Sequence, residues 1–361
     1  MGMKKTKLFF FSPSLAAGGL ERVLSVLSKP MADHYDEVTY ITWHDKPVFY
    51  EIDNRVKIIC VEKECGSNSI LKKILWFNKY VLNGKPDLLI SFSTPFNMIA
   101  LTALAGSGIK VVVAERNDPA HFRWGWFAKQ FRDLLYCTAD GILVQTETCK
   151  NHLRGLLSKR AIVIPNPLLM DQNLIGSALR TEKTHLIVSA SRLVPQKRND
   201  LIIKVFARFL ESHSDYSLTI YGDGPEREKL VEQVSQLGIE EKVLLPGNVK
   251  NIWEKIKGAE MFVMASEYEG MSNALLEAMC LGLPCISTKV SGAVDFINDG
   301  ENGLLVDIND EEALFKAIQK LADNKELRNE IGKKARFVAE ELDSSKIAVR
   351  WIEYINNIFG N

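Results

Sequence analysis

The chain has 361 residues, 46% of them apolar, and its 45 basic side chains balance 45 acidic ones. That is ample material for two cores, so two domains are expected. Neutral charge without a reader motif argues against a nucleic-acid binder, and no apolar run reaches the roughly 18 residues of a spanning helix.

The balance is uneven along the chain. Residues 1–170 carry 22 Lys and Arg against 15 Asp and Glu, a net of +7; residues 171–361 carry 23 against 30, a net of −7. Either a surface interaction is confined to one half or the surface charge is unpatterned. Six cysteines (Cys60, Cys65, Cys137, Cys149, Cys280, Cys285) form no Cys-x-x-Cys pair, which fits reduced thiols of a cytosolic protein.

The N-terminal stretch is basic, then apolar over Leu8–Phe11 only, and Ser12 and Pro13 follow; it reads as a first strand rather than a signal peptide. Short apolar runs predict further strands in the first half at Glu37–Ile41, Lys57–Cys60, Leu88–Phe92, Val111–Glu115, Gly141–Gln145 and Ala161–Ile164. In the second half they fall at His185–Ala190, Ser217–Tyr221, Val243–Leu245, Met261–Ala265, Cys285–Thr288 and Gly303–Val306. Helical stretches between them give a β-α-β order, hence two parallel sheets covered on both faces. The break falls where Pro165 and Pro167 stop a strand and an irregular polar segment runs to Thr184. Open parallel sheets bind ligands beyond the carboxyl ends of their strands, so a cleft between the domains is the expected site.

Four loops, each between a strand and a helix, carry residues suited to chemistry. In SPSLAAGGLERVLSVL, Gly18 and Gly19 either let backbone N–H groups approach an anion or are turn glycines; no Walker or full Rossmann pattern is present. In SASRLVPQKRNDLII, Arg192 and Lys197 offer a planar fork and a point charge, which suit a diphosphate or form a solvated basic loop. In YGDGPEREKL, Gly222 and Gly224 end a strand in a mostly architectural turn, and Pro225 is placed to begin a helix.

The fourth loop, SEYEGMSNALLEAMCLGLP, makes Ser272 the N-cap of a buried helix that Gly282 and Pro284 stop. Glu269 precedes that helix and Glu277 lies inside it among apolar residues. A buried carboxylate needs donors. Ribose and sugar hydroxyls would serve, with the helix start facing phosphates; a structural ion pair is the alternative.

Together these loops resemble the retaining glycosyltransferases of family 4, glycosyl transferases group 1, of the GT-B fold. The resemblance is closest over about residues 186–310, through SRLVPQKR, YGDGPEREKL, LPGNVKNI, AEMFVMASEYEGMSNALLEAM, GLPCISTKVSGAVDFI and NGLLV, and continues at GGLERVL and VIPNP. It implies an α/β architecture of two doubly wound Rossmann-like domains facing a central cleft. Residues 1–170 would bind the acceptor, with a terminal helix at 344–361 packing back on them, and residues 171–343 would bind the nucleotide sugar.

The resemblance also implies roles. Arg192 and Lys197 would hold the donor diphosphate in place of a metal, Glu269 would contact the transferred sugar, and these three would be the catalytic residues. Glu277 would bind the ribose, the amides of Gly270, Met271 and Ser272 would meet the phosphates, and Gly18 and Gly19 would bring backbone to the reacting centre. No cofactor is implied; the nucleotide sugar, with UDP the expected carrier, is a substrate.

The pattern departs at AERNDPAHF, where many members carry a histidine and this chain has Glu115, Arg116 and Asn117, with His121 displaced. Arg116 would bind a phosphate of acceptor or donor, or the loop is only a capped turn before Pro119. Two basic aromatic segments, residues 70–85 and 121–136 (the latter with Trp124), either suit an anionic membrane surface or are core helices with solvated lysines. The family's use in surface polysaccharide assembly implies a polyprenyl-diphosphate-linked glycan acceptor, met at the inner membrane face by a cytoplasmic protein. A nucleotide-sugar epimerase of the same fold and a non-catalytic sugar-nucleotide-binding subunit are the rival readings. Product analysis with donor alone separates the first; the full set of Glu269, Glu277, Arg192 and Lys197 argues against the second.

Overall fold

The computed structural model describes residues 6–121, 125–168 and 182–360. The chain divides into two compact units: Met1–Pro167 with Ser344–Asn361, and Leu168–Asp343. The first unit holds β1 (Lys7–Ser12), β2 (Glu37–Thr42), β3 (Lys57–Cys60), β4 (Leu88–Phe92), β5 (Lys110–Ala114), β6 (Gly141–Val144) and β7 (Ala161–Val163), in the order β3-β2-β1-β4-β5-β6-β7. The second holds β8 (Leu186–Ala190), β9 (Ser217–Tyr221), β10 (Val243–Gly247), β11 (Met261–Met264), β12 (Cys285–Thr288) and β13 (Leu304–Val306), in the order β10-β9-β8-β11-β12-β13. Every pairing is parallel. Each expected strand is present, its ends within two residues of expectation.

The strands are near-continuous apolar runs because both faces of each sheet are covered. On β1, Leu8 and Phe10 pack into one cluster with Leu88, Ile90 and Phe92, while Phe9 and Phe11 join Leu89, Phe77 and Tyr136 on the other face. The second unit repeats this alternation: Met261 and Val263 face one cluster, Phe262 and Met264 the other. The period of two assigns each residue to its face.

In both sheets the strand order reverses at the centre, between β1 and β4 and between β8 and β11. Crossovers leave these central strands in opposite directions, so their carboxyl ends open a crevice suited to ligands. The C-terminal helix Ser344–Phe359 belongs to the first unit. It buries the stripe Ile347, Ala348, Trp351, Tyr354 and Ile355 against Val23, Leu24, Leu27 and Met31 of helix Gly19–His34. Trp351 is fully buried, and truncating such a side chain to Ala costs about 3–5 kcal/mol.

Candidate functional site

The second unit brings two of the expected charged residues into contact at its reversal point. After β8 the chain runs through Ser191–Leu193 into a short 3-10 turn, Pro195–Lys197, and Arg198 takes a left-handed conformation (φ 49°) before helix Asn199–Leu210. After β11 it runs through Ser266–Ser272 into helix Asn273–Cys280. Lys197 Nζ donates to Glu269 Oε1, and Ser266 Oγ donates to the same oxygen at 2.8 Å. Both charged side chains are largely buried. The pair therefore exchanges hydration for one another and is costly to break from one side only.

The two loops are tied together by more than that pair. Gln196 Nε2 donates to Tyr268 O at 2.5 Å, and Glu267 N donates to Gln196 O at 2.9 Å. Thr288 Oγ1, at the end of β12, donates to Ser266 O at 2.6 Å. The sequence alone does not single out Gln196, Ser266 and Thr288. The available signal was a small or amide side chain immediately beside Lys197 or three residues before Glu269.

Arg192 is exposed, and among the described residues its guanidinium makes no hydrogen bond or ion pair. Its backbone, in contrast, is fixed. Leu193 N donates to Asp223 O at 3.0 Å, Ser191 N to Tyr221 O at 3.0 Å, and Glu226 N to Leu193 O at 3.0 Å. Gly222 makes this approach feasible: its φ is 127°, and a Cβ there would lie 1.8 Å from Ser191 O. The YGDG turn is thus architectural and holds the Arg192 loop. Pro225 does not open the following helix, which begins at Arg227 behind Glu226, whose amide closes the turn onto Leu193 O.

Ser272 caps helix Asn273–Cys280, its hydroxyl accepting from Leu275 N at 3.4 Å. Glu277 lies in that helix, 1% exposed; burial, helped by the Glu277 carboxylate, pushes the Cys280 thiol up to about 12. Gly270 and Met271 are packed from above by Gly292, where a Cβ would stand 2.6 Å from Met271 Cα. Gly18 and Gly19 belong to the first unit, at the start of helix Gly19–His34, with Gly19 exposed.

The loop after β5 is organised differently. Glu115 is buried, and its oxygens accept from Thr94 Oγ1 at 3.1 and 2.9 Å and from the Tyr136 hydroxyl. Burial raises its pKa, with those hydrogen bonds opposing. It therefore faces inward and does not present its carboxylate as the loop's substrate ligand. Arg116 turns the other way: Nη1 donates to Asn166 Oδ1 at 2.9 Å, and the guanidinium carbon stands 4.9 Å from the Phe92 ring centre and 5.7 Å from that of Trp351. Asn117 is exposed, and exposed His121 pairs with Asp118 at 3.5 Å. Trp124 lies outside the described residues.

The basic aromatic segments divide by face. Lys73 is buried, its Nζ 2.7 Å from Glu62 Oε1, and Phe77 is core. Arg132 is buried against Asp133. These do not belong to a surface, because helical periodicity turns them inward. Leu71, Leu75, Phe131 and Leu134 are exposed, as are Trp126 (63%) and Phe127 (82%). Among the described residues no helix is long and apolar enough to cross a membrane, and no cluster of three His, Cys, Asp or Glu side chains could hold a metal.

Residues 171–337 match the family model described as glycosyl transferases group 1, and residues 17–170 match glycosyltransferase family 4. Two Campylobacter jejuni relatives align along nearly the whole chain. N-acetylgalactosamine-N,N'-diacetylbacillosaminyl-diphospho-undecaprenol 4-alpha-N-acetylgalactosaminyltransferase is 30% identical, covering 97% of this chain and 99% of its own. GalNAc-alpha-(1->4)-GalNAc-alpha-(1->3)-diNAcBac-PP-undecaprenol alpha-1,4-N-acetyl-D-galactosaminyltransferase is 27% identical over 98% and 99%. The crystal structure of Anabaena HepE in complex with UDP and glucose shares the fold, with a TM-score of 0.81 at 18% identity over 97% of this chain and 99% of that one. The chain therefore belongs to the group 1 glycosyl transferases and is a glycosyltransferase of the GT-B fold.

Proposed function

We propose that the protein is a retaining family 4 enzyme that moves a hexose or N-acetylhexosamine from a nucleoside diphosphate sugar, with UDP as carrier, to a hydroxyl of a polyprenyl-diphosphate-linked saccharide in surface polysaccharide synthesis. The observation that carries this reading is the Lys197–Glu269 contact across the reversal point of the second sheet. Two loops present a cation and an acid where a sugar diphosphate has both a negative end and a hydroxylated end. Arg192 shares the cation's loop and has donors to spare. Carrier and acceptor draw support from the fold neighbour crystallised with UDP and from the undecaprenol-diphosphate names of the two relatives.

In this reading the acceptor oxygen bonds to the anomeric carbon on the face the diphosphate leaves. The bond from that carbon to the diphosphate breaks, and the acceptor proton passes to the departing phosphate oxygen. Arg192 and Lys197 offset the charge that develops there, the amides of Gly270–Ser272 assist, and Glu269 and Glu277 orient sugar and ribose. No metal is needed for that charge balance. The exposed Trp126, Phe127, Phe131 and Leu134, in the chain half of net +7, dock the protein peripherally on the inner face of an anionic membrane.

Incubating the protein with UDP-N-acetylhexosamines and a short polyprenyl-diphosphate glycan tests the reading. Proton NMR of the product should show the donor's anomeric configuration retained. An inverted product, or epimerised donor without acceptor, would refute it. Sedimentation with phosphatidylglycerol vesicles should fall on Trp126→Ser with Phe127→Ser; unchanged sedimentation refutes the membrane face.

A further inference from the structure

Among the described residues, Arg116, in the loop after β5, is a cation held by rings rather than by an acid. Phe92, the last residue of β4, lies under its guanidinium, and Trp351 of the C-terminal helix stands beside it. Asn166 fixes one N–H, and buried Asn166 is itself fixed by Gln145 Nε2 at 2.7 Å. Arginine has five N–H donors. Among the described residues only the one to Asn166 is satisfied, and the Nε atom is buried without a hydrogen-bond partner. The adjacent acid does not help, because the oxygens of Glu115 are taken by Thr94 and Tyr136.

A structural arginine ordinarily spends its fork on a carboxylate. Here the plane is clamped, the carboxylate adjacent in sequence is directed inward, and donors are left over. Such a fork matches paired oxygens of a phosphate. We propose that Arg116, clamped by Phe92, Trp351 and Asn166, binds the diphosphate of the lipid-linked acceptor. The proposal rests on the acceptor reading above and assigns that acceptor's anionic group to one residue. The donor also carries a diphosphate, but Arg192 and Lys197 of the second unit already answer to it.

The test is a thermal-shift titration of the full chain with saturating UDP, then inorganic pyrophosphate or farnesyl diphosphate. Ligands that bind the folded state raise the apparent stability. The wild type should show a second rise with both probes. Arg116→Gln should keep the UDP rise and weaken both probes about tenfold or more, while Arg116→Lys should weaken them less. Trp351→Phe, which keeps a ring, should weaken them modestly. A wild type that ignores the probes overturns the proposal, as does an Arg116→Gln variant that keeps them. Loss of the UDP rise in Arg116→Gln would put Arg116 on the donor, and a response to farnesyl diphosphate but not pyrophosphate would put recognition on the prenyl tail; either overturns it. If UDP gives no rise even in the wild type while the probe response depends on Arg116, the donor reading fails and the Arg116 assignment stands.

Discussion

Each of the two sheets ends in its own topological crevice, and the two crevices are equipped by opposite means. In the second unit a cation and an acid on neighbouring loops bond to each other, with Ser266, Gln196 and Thr288 bracing the loops around them. In the first unit acid and cation are adjacent in sequence yet turned apart: Glu115 is buried among hydroxyl donors and Arg116 lies against two rings. A paired site must exchange partners when ligand arrives, so its resting charge is balanced and its specificity lies in replacing one bond with another. A ring-held cation is preorganised and exchanges little. Under the proposed function, the difference suits a unit that would promote bond breaking and a unit that would only hold.

Substitutions should split along that line. The largest effect is expected at the paired site. Lys197→Ala or Arg192→Ala should lower kcat by about 10²–10³, the cost of losing one preorganised donor to a developing anion. Arg192 is exposed, so its variant should change unfolding free energy by no more than about 0.5 kcal/mol. Near-normal turnover in either variant would remove the assigned role.

Next is the support behind it. Gly222→Ala forces a Cβ into Ser191 O at a φ of 127°, and should cost about 1–3 kcal/mol or more in chemical unfolding while weakening UDP binding. Unchanged stability would show that the Arg192 loop is not held by this turn.

The smallest effect is a pH dependence in the first unit. Because the folded-state pKa of Glu115 is raised, the folded state holds its proton more tightly than the unfolded chain. The stability linked to this group is therefore present below the ordinary carboxyl range and lost as pH rises toward the folded pKa. Measured by urea unfolding, wild type relative to Glu115→Gln should be most stable below the unperturbed Glu pKa of about 4.3 and lose ground steadily as pH rises above it. A difference flat with pH contradicts a buried, proton-retaining Glu115.

Much of this was legible in the sequence, for identifiable reasons. Buried parallel strands are short apolar runs, and all the expected ones are present because burial on both faces dictates their composition. Ser272 could be read as a cap because side-chain capping is local. The bonds between loops could not be read: Lys197 and Glu269 are 72 positions apart, and only the reversal of strand order brings β8 and β11 side by side. Inward turns were also hidden. Lys73, Arg132 and Glu115 look like surface charges in a linear string, yet each is buried with polar or charged partners. The YGDG sequence reads as an architectural turn, but that its glycines admit the Arg192 loop follows only from the position of Ser191 O.

The central claim is that Lys197 and Glu269, with Arg192 beside them, form the seat of a nucleoside diphosphate sugar. Calorimetric titration of UDP into wild type, Lys197→Ala and Arg192→Ala tests it most directly. Saturable binding by the wild type, weakened about tenfold or more in both variants, is the expected result. Equal affinity in all three proteins, or no binding by the wild type, would contradict it.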